Sequence, residues 1–301
     1  WNTHGLTQKQ CDAYYLNDGT NCPGKERELN LPGRSDMRER PTGFVTKEDV
    51  EAGRYKPLAE GVSLQYANRE PRFYASVAYS GSVWYFLKAD KEDNKGPKQI
   101  FNYRGGGNGY TNTMFWLRTG IGVMKFVHPD DANDNNSNDN GWTHIRKKAE
   151  PAIRYAEVLL IYAEALNESQ ESPTQDVYDY VDLVRERAGL KGVKESWSKY
   201  SKSPDKPNTK NGMREIIRME RLNELACEGK RFWDLRRWKQ AAEYFGVKAK
   251  GMNIAGKTID EFAQETEVSF ERKFESPTQY LMPVPLTDVN RNMNLVQNPG
   301  Y

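Results

Sequence analysis

The chain has 301 residues, enough for one large domain or two ordinary ones. Its 44 basic and 42 acidic side chains leave a formal charge of +2, a near-balance that argues against an electrostatic grip on nucleic acid, which needs a basic stripe. Mean hydropathy is −0.89 and the longest clear apolar run, Val158 to Ala163, has six residues, too short to span a bilayer. The apolar content is heavily aromatic, with 7 Trp, 17 Tyr and 11 Phe. Such a chain suits the binding of polar rings; the alternative is a core that uses aromatics in place of Leu and Ile.

The first residue is Trp rather than Met, so the sequence reads as a processed product or a fragment, and it fixes no compartment. Residues 1–60 are polar, loop-like and broken by Gly and Pro. Cys11 and Cys22 flank a short polar loop and could pair in an oxidising compartment. Cys227 falls in a helical pattern and reads as a buried thiol. Three unclustered cysteines and the scattered His4, His128 and His144 make no zinc site.

Arg72 to Tyr79 alternates with period two, Ser80-Gly81-Ser82 turns the chain, and Val83 to Leu87 returns it; this predicts a β-hairpin. Tyr103-Arg104-Gly105-Gly106-Gly107-Asn108-Gly109-Tyr110 then predicts a mobile loop flanked by aromatics. Its glycines do not fit the dinucleotide spacing, and no phosphate loop occurs elsewhere. A second polar loop covers 128–142. Asp131, Asn133 and Asn135 are spaced oxygen donors, but glycine is missing from the sixth position and Trp142 stands at the twelfth, so this is a solvated loop rather than a calcium loop.

From Glu150 the pattern is helical. Tyr155, Val158, Leu159, Tyr162 and Leu166 form one expected apolar stripe, with Ala156 and Ala163 allowing close approach of a partner helix. Ser172, Pro173 and Gln175 start a second helix with a capping box, and Gly189 ends it. The two make an antiparallel αα-hairpin. A third helix, 213–228, carries Glu220, Glu224 and Glu228 on one face. Like charges at that spacing repel unless cations intervene, and Arg221, Arg231, Arg236 and Arg237 are the nearest. A di-iron bundle would need a Glu-x-x-His partner, and no His lies in this region, so a buried ion-pair network is the favoured reading. Phe232, Trp233, Leu235 and Trp238 suggest a further buried helix. Pro283 and Pro285 predict an extended tail laid on the surface.

Motifs in chain order then carry a resemblance. Asp12-Ala13-Tyr14-Tyr15-Leu16-Asn17-Asp18-Gly19, Asn68-Arg69-Glu70-Pro71-Arg72-Phe73, Arg154-Tyr155-Ala156-Glu157-Val158-Leu159-Leu160-Ile161-Tyr162-Ala163-Glu164-Ala165, Arg185-Glu186-Arg187-Ala188-Gly189, Glu220-Arg221, Glu224-Leu225-Ala226, Glu228-Gly229-Lys230-Arg231, Asp234-Leu235-Arg236-Arg237-Trp238 and Gln297-Asn298-Pro299-Gly300-Tyr301 resemble segments of the SusD/RagB family of outer-membrane nutrient-binding lipoproteins. Glu70 stands where that family usually has Asp. The resemblance covers the C-terminal portion of longer family members. It implies a mainly α fold on a tetratricopeptide-like αα-hairpin scaffold, with a small β-hairpin region and long loops. It also implies a lipid anchor lying outside this sequence, surface exposure on the outer membrane, docking on a SusC-type TonB-dependent transporter, and capture of a glycan without cleavage. No cofactor or metal is implied. The shared motifs are scaffold residues, so they carry over no ligand contacts.

The expected organisation is a loop-rich, ligand-facing segment over 1–149 and a helical scaffold with its extended tail over 150–301. A sugar ring has an apolar face and polar edges, so flat aromatics in polar loops are the stacking candidates. That selects Tyr110, Trp116 and Trp142, with Arg104 and Asn108 as polar partners and Trp1 as an outlier. Tyr155, Tyr162, Tyr180, Trp233 and Trp238 are assigned to the core. Peptide or other nutrient capture on the same scaffold, a glycoside hydrolase built on two carboxylates and a pure interaction scaffold remain the alternatives.

Overall fold

The computed structural model describes residues 4–20, 42–87, 95–111, 116–131, 145–268 and 272–301, and these are mainly helical with short antiparallel strands and long loops. Helix α1 (Gln8–Ala13) is capped by Thr7, whose side chain accepts from the Gln10 amide. Helix α2 (Lys47–Glu51) has a complete capping box between Thr46 and Asp49.

The expected hairpin is re-registered. Pro71 takes the first helical position, where its missing N–H removes no bond and its fixed φ suits a helix. Pro71–Ser76 is therefore α3, and only β1 (Val77–Ala78) is extended. Strand β2 (Ser82–Phe86) pairs instead with β3 (Gly96–Ile100), with Trp84 opposite Lys98. Strand β1 pairs with β4 (Gly122–Val123). Gly81, at φ +86°, makes the bend between β1 and β2; a Cβ there would lie 2.7 Å from Val62.

The αα-hairpin forms as expected from α4 (Tyr155–Ser169) and α5 (Gln175–Arg187). Thr174 rather than Ser172 takes the cap position, and it makes no side-chain cap bond; the chain leaves at Gly189 with φ +77°. Helices α6 (Val193–Tyr200) and α7 (Lys210–Glu224) complete the bundle, and α7 packs on α4. Gly212 sits so close to the Lys206 carbonyl that a Cβ would lie 1.9 Å from it.

The buried face of α4 is Ala156, Leu159, Leu160, Ala163 and Asn167. The expected stripe is displaced: Tyr155 is 74% exposed, and Val158 and Tyr162 are also on the surface. The helix carries apolar side chains on more than one face, and the face with small alanines is the buried one because it lets α5 and α7 approach. Around it Tyr15, Val177, Val181, Trp197, Ile216 and Ile217 make one core cluster. A second cluster holds Tyr14, Val62, Tyr66, Phe73, Tyr79 and Ile121, joined by Met252 and Phe262. There the rings of Phe73 and Tyr79 stack at 5.7 Å. Each fully buried ring of this size removes enough apolar surface to contribute about 1.5–3 kcal/mol.

Helix α7 stops at Glu224, so Glu228 lies beyond it, past Cys227 at φ +64°. Cys227 is exposed in that turn, not buried, whereas Cys11 is buried. Cys22 lies outside the described residues. Helix α8 (Lys230–Arg237) buries only Asp234 and Leu235; Trp233 is 56% exposed, so neither it nor Tyr155 nor Tyr162 belongs to the core. Tyr180 and Trp238 are half-buried at the edges of clusters. Helix α9 (Ala241–Phe245) follows, and β5 (Lys250–Met252) pairs with β6 (Glu265–Glu267) around the short α10 (Ile259–Phe262). The tail is not wholly extended. Pro285 caps α11 (Leu286–Arg291), an entry position that proline tolerates. Phe274 and Tyr280 anchor the tail's start on Leu235, Ala241 and Tyr244.

Candidate functional site

Two constellations bear on function, and the first is the carboxylate face. Glu220 and Glu224 are fully or almost fully buried, and Glu70 joins them from the segment before α3. Arg72 binds all three: Nε to Glu70 at 2.6 Å, and Nη1 to Glu220 at 2.6 Å and Glu224 at 3.0 Å. Arg185 meets the other Glu220 oxygen at 3.3 Å, and Arg187 meets Glu224 at 2.6 Å. Arg154 reaches Glu224 at 3.0 Å and Glu228 at 2.7 Å, and Lys125 closes on Glu228 at 2.6 Å. The ion-pair network expected from sequence therefore exists, but with other cations. Arg221 bonds Asp234 at 2.9 Å and Arg237 holds Glu164 and Asp234, while Arg231 and Arg236 lie over aromatic rings.

Burial sets the titration here. Desolvation raises the Glu70 carboxyl despite Arg72 beside it. Burial also acts upward on Glu228, but hydrogen bonds from Arg154 and Lys125 outweigh it and hold the carboxyl below its usual range. Carboxylates clamped in this way fix the junction between α3, the turn after α7 and the start of α4. An acid/base pair would need an oxygen facing a cleft, and these face guanidinium groups.

The second constellation is the glycine-rich loop. Two of its glycines, Gly106 and Gly109, serve close packing. A Cβ on Gly109 would lie 2.0 Å from the Tyr103 carbonyl, and one on Gly106 would lie 2.6 Å from that of Phe101. The Gly106 amide donates to Tyr103 at 2.9 Å, that of Asn108 to Phe101 at 3.0 Å, and that of Arg104 to Gly256 at 2.8 Å. Buried Asn102 donates to the Gly120 carbonyl at 3.0 Å and accepts from the Asn108 side chain at 3.1 Å. Asn108 thus helps to hold the loop.

The loop brings two sequence candidates together. Tyr110 and Trp116 meet edge to face, with centroids 5.1 Å apart and planes at 65°. Both are half-buried, so part of each ring remains open. Arg104 is exposed at the other side of the glycine run in sequence. The cation at the rings is Arg118, 4.9 Å over Trp116, which sequence reasoning missed. Trp1 and Trp142 lie outside the described residues, as do Asn133 and Asn135. Asp131 accepts from the amides of His128 and Arg146 at 2.9 Å and pairs with Lys148. Among the described residues no cluster of His, Cys, Asp and Glu could hold a metal ion.

A further ring pair also escaped the sequence reading. Trp84 and Phe86 stack with planes 9° apart and centroids at 6.4 Å, on one face of β2. The signal was their i, i+2 spacing on a strand. Both rings are half-buried.

Comparison with known proteins bears on the whole chain. SusD-like protein P2 of Formosa agariphila is 36% identical over 150 residues, an alignment covering 50% of this chain and 25% of that protein. The solved structure of the protein BT4246 superposes over 99% of this chain and 46% of its own, with a TM-score of 0.74 and 26% identity. A SusD-like carbohydrate-binding protein of Bacteroides fragilis NCTC 9343 matches 98% of this chain and 51% of its own, with a TM-score of 0.60 and 25% identity. The chain thus spans about half the length of the solved structures that it matches. The model of the SusD family (SusD_RagB) matches residues 1–301, and the chain belongs to that family.

Proposed function

We propose that this chain is part of a cell-surface receptor that captures an oligosaccharide and hands it, uncleaved, to a SusC-type TonB-dependent transporter. Family membership supports nutrient binding, and a relative described as carbohydrate-binding supports a glycan. The observation that carries the ligand class is the half-buried Tyr110–Trp116 pair with Arg118 over it, held by a tightly bonded loop. Rings present an apolar face to a sugar, while Arg104, Arg118 and the Asn108 carbonyl oxygen offer bonds to hydroxyls. The helical pairs α4–α5 and α6–α7 are read as tetratricopeptide-like, residues 1–149 as the ligand-facing part, and a lipid anchor outside this sequence holds the protein at the outer membrane. Trp142 stays among the proposed stacking residues, with Trp1 as an outlier. Capture without cleavage is favoured because Glu70, Glu220, Glu224 and Glu228 are each paired with arginine or lysine.

Stacking on one or two sugar rings gains about 0.5–1.5 kcal/mol per ring beyond area burial, so affinity falls in the range of about micromolar to millimolar. A glycan array probed with the full-length protein identifies the ligand. Trp116→Ala and Tyr110→Ala should each weaken its binding without lowering the melting temperature. Unchanged affinity in both variants would move the site elsewhere.

A further inference from the structure

A trough between α1, α9 and the β5–β6 hairpin is built for negative charge. Its larger lobe, about 340 Å³, is lined by Lys9, Lys248, Lys250 and Arg272, with Glu267 as the acid. That volume is ligand-sized. A smaller lobe of about 130 Å³ shares Thr7, Lys9 and Arg272, so the two are continuous; it adds Arg231, Gln10 and Tyr244. Among the described lining residues Glu267 is bonded to Lys248 at 2.8 Å and Lys250 pairs with Glu265 at 3.3 Å, and the described lining still carries more basic than acidic side chains.

These cations are held in place. The Tyr244 ring has the Lys9 ammonium 4.2 Å from its centroid and the Arg231 guanidinium 4.9 Å from it. Two lining residues each hold a buried donor without a hydrogen bond, the Arg272 Nε and the Gln10 side-chain nitrogen, while the Arg272 Nη2 donates to the Val247 carbonyl at 3.2 Å. A buried orphan donor costs free energy that a bound acceptor restores. Burial pushes both the Arg272 and Arg231 guanidinium groups below their usual range. Val247, Ala249 and Tyr244 supply apolar wall beside these donors.

We infer that this trough is a second ligand subsite, which takes the oxyanion group of an acidic sugar: a uronate carboxylate or a sulfate ester. The acid group lies against Arg272, Gln10 and Lys9, and the ring lies along the apolar wall. The sugar part of this inference rests on the glycan reading above; the anion part stands on the trough alone.

Calorimetric titration of the 301-residue chain tests it, with galacturonate, galactose 6-sulfate, galactose and inorganic sulfate as probes. Arg272→Gln and the uncharged change Gln10→Leu serve as variants, each checked for an unchanged melting temperature. The expected result is that at least one acidic sugar binds more tightly than both galactose and inorganic sulfate, less tightly as salt rises, and about tenfold or more weaker to Arg272→Gln. Gln10→Leu should weaken the same probe by a smaller factor. The relative tightness of galacturonate and galactose 6-sulfate separates carboxylate from sulfate. Equal binding of galactose, equal binding of free sulfate, or full affinity in both variants overturns the inference. An array ligand that is neutral, lost in Trp116→Ala and untouched in Arg272→Gln, would leave the function standing and remove this subsite.

Discussion

The junction around Glu220 and the loop around Trp116 differ in how they use polar groups. At the junction, Arg72, Arg154, Arg185 and Arg187 converge on Glu70, Glu220, Glu224 and Glu228, and most of these charges are out of water. In the loop, the polar groups are backbone amides and Asn102, and they hold two aromatic rings that stay partly open. A buried charge network fixes one arrangement because removing any member strands the others. The ring pair of the proposed site, by contrast, stays partly exposed. The comparison sets a buried scaffold against the proposed site within one chain.

The sharpest break is Glu220→Ala. It leaves the buried Arg185 guanidinium without its carboxylate and takes one of three carboxylates from Arg72, and it should cost about 3–5 kcal/mol in urea unfolding. A loss below about 1 kcal/mol would place the network on the surface energetically. The next is a pair of changes on α4. Leu160→Asp, at a fully buried position, should cost about 3 kcal/mol or more, while Val158→Asp on the exposed face should stay within about 0.5 kcal/mol. The reverse order would restore the stripe read from sequence.

The smallest effect is in pH. Glu228 has its folded value lowered, so its stabilisation is complete above the ordinary glutamate value of about 4.3 and is lost as pH falls through the folded value. Glu228→Gln should therefore be less stable than the parent near neutrality, by about 1 kcal/mol, and the gap should close in acid. A gap that widens as pH falls would contradict the assigned sign.

Much of the scaffold was legible because helices are local. The αα-hairpin, its Gly189 exit and the carboxylate network follow from spacing within a few turns. The partners of that network were not legible. Arg72 meets Glu220 across 148 residues, whereas Arg221 and Arg231 are adjacent in sequence and turned elsewhere. The core face of α4 was misread because spacing identifies apolar faces but not which neighbour comes closest. The strand after Gly81 was found, but its partner was not: β3 opens with Gly96-Pro97, residues that local propensity reads as loop. At the site, Tyr110 and Trp116 were visible as aromatics in a polar loop, and the structure brings them together. Arg118 and the Trp84–Phe86 pair depended on side-chain direction, which only the folded strand and loop define.

The division between scaffold and site is tested most directly by one crossed measurement on the full-length protein and its array-identified glycan. Affinity and urea midpoint are recorded for the parent, Trp116→Ala and Glu224→Gln. The account predicts that Trp116→Ala loses about tenfold in affinity and keeps its midpoint, while Glu224→Gln loses midpoint and, where still folded, keeps its affinity. Parent-like binding by Trp116→Ala together with lost binding by folded Glu224→Gln would contradict it, and would move the ligand from the loop to the carboxylates.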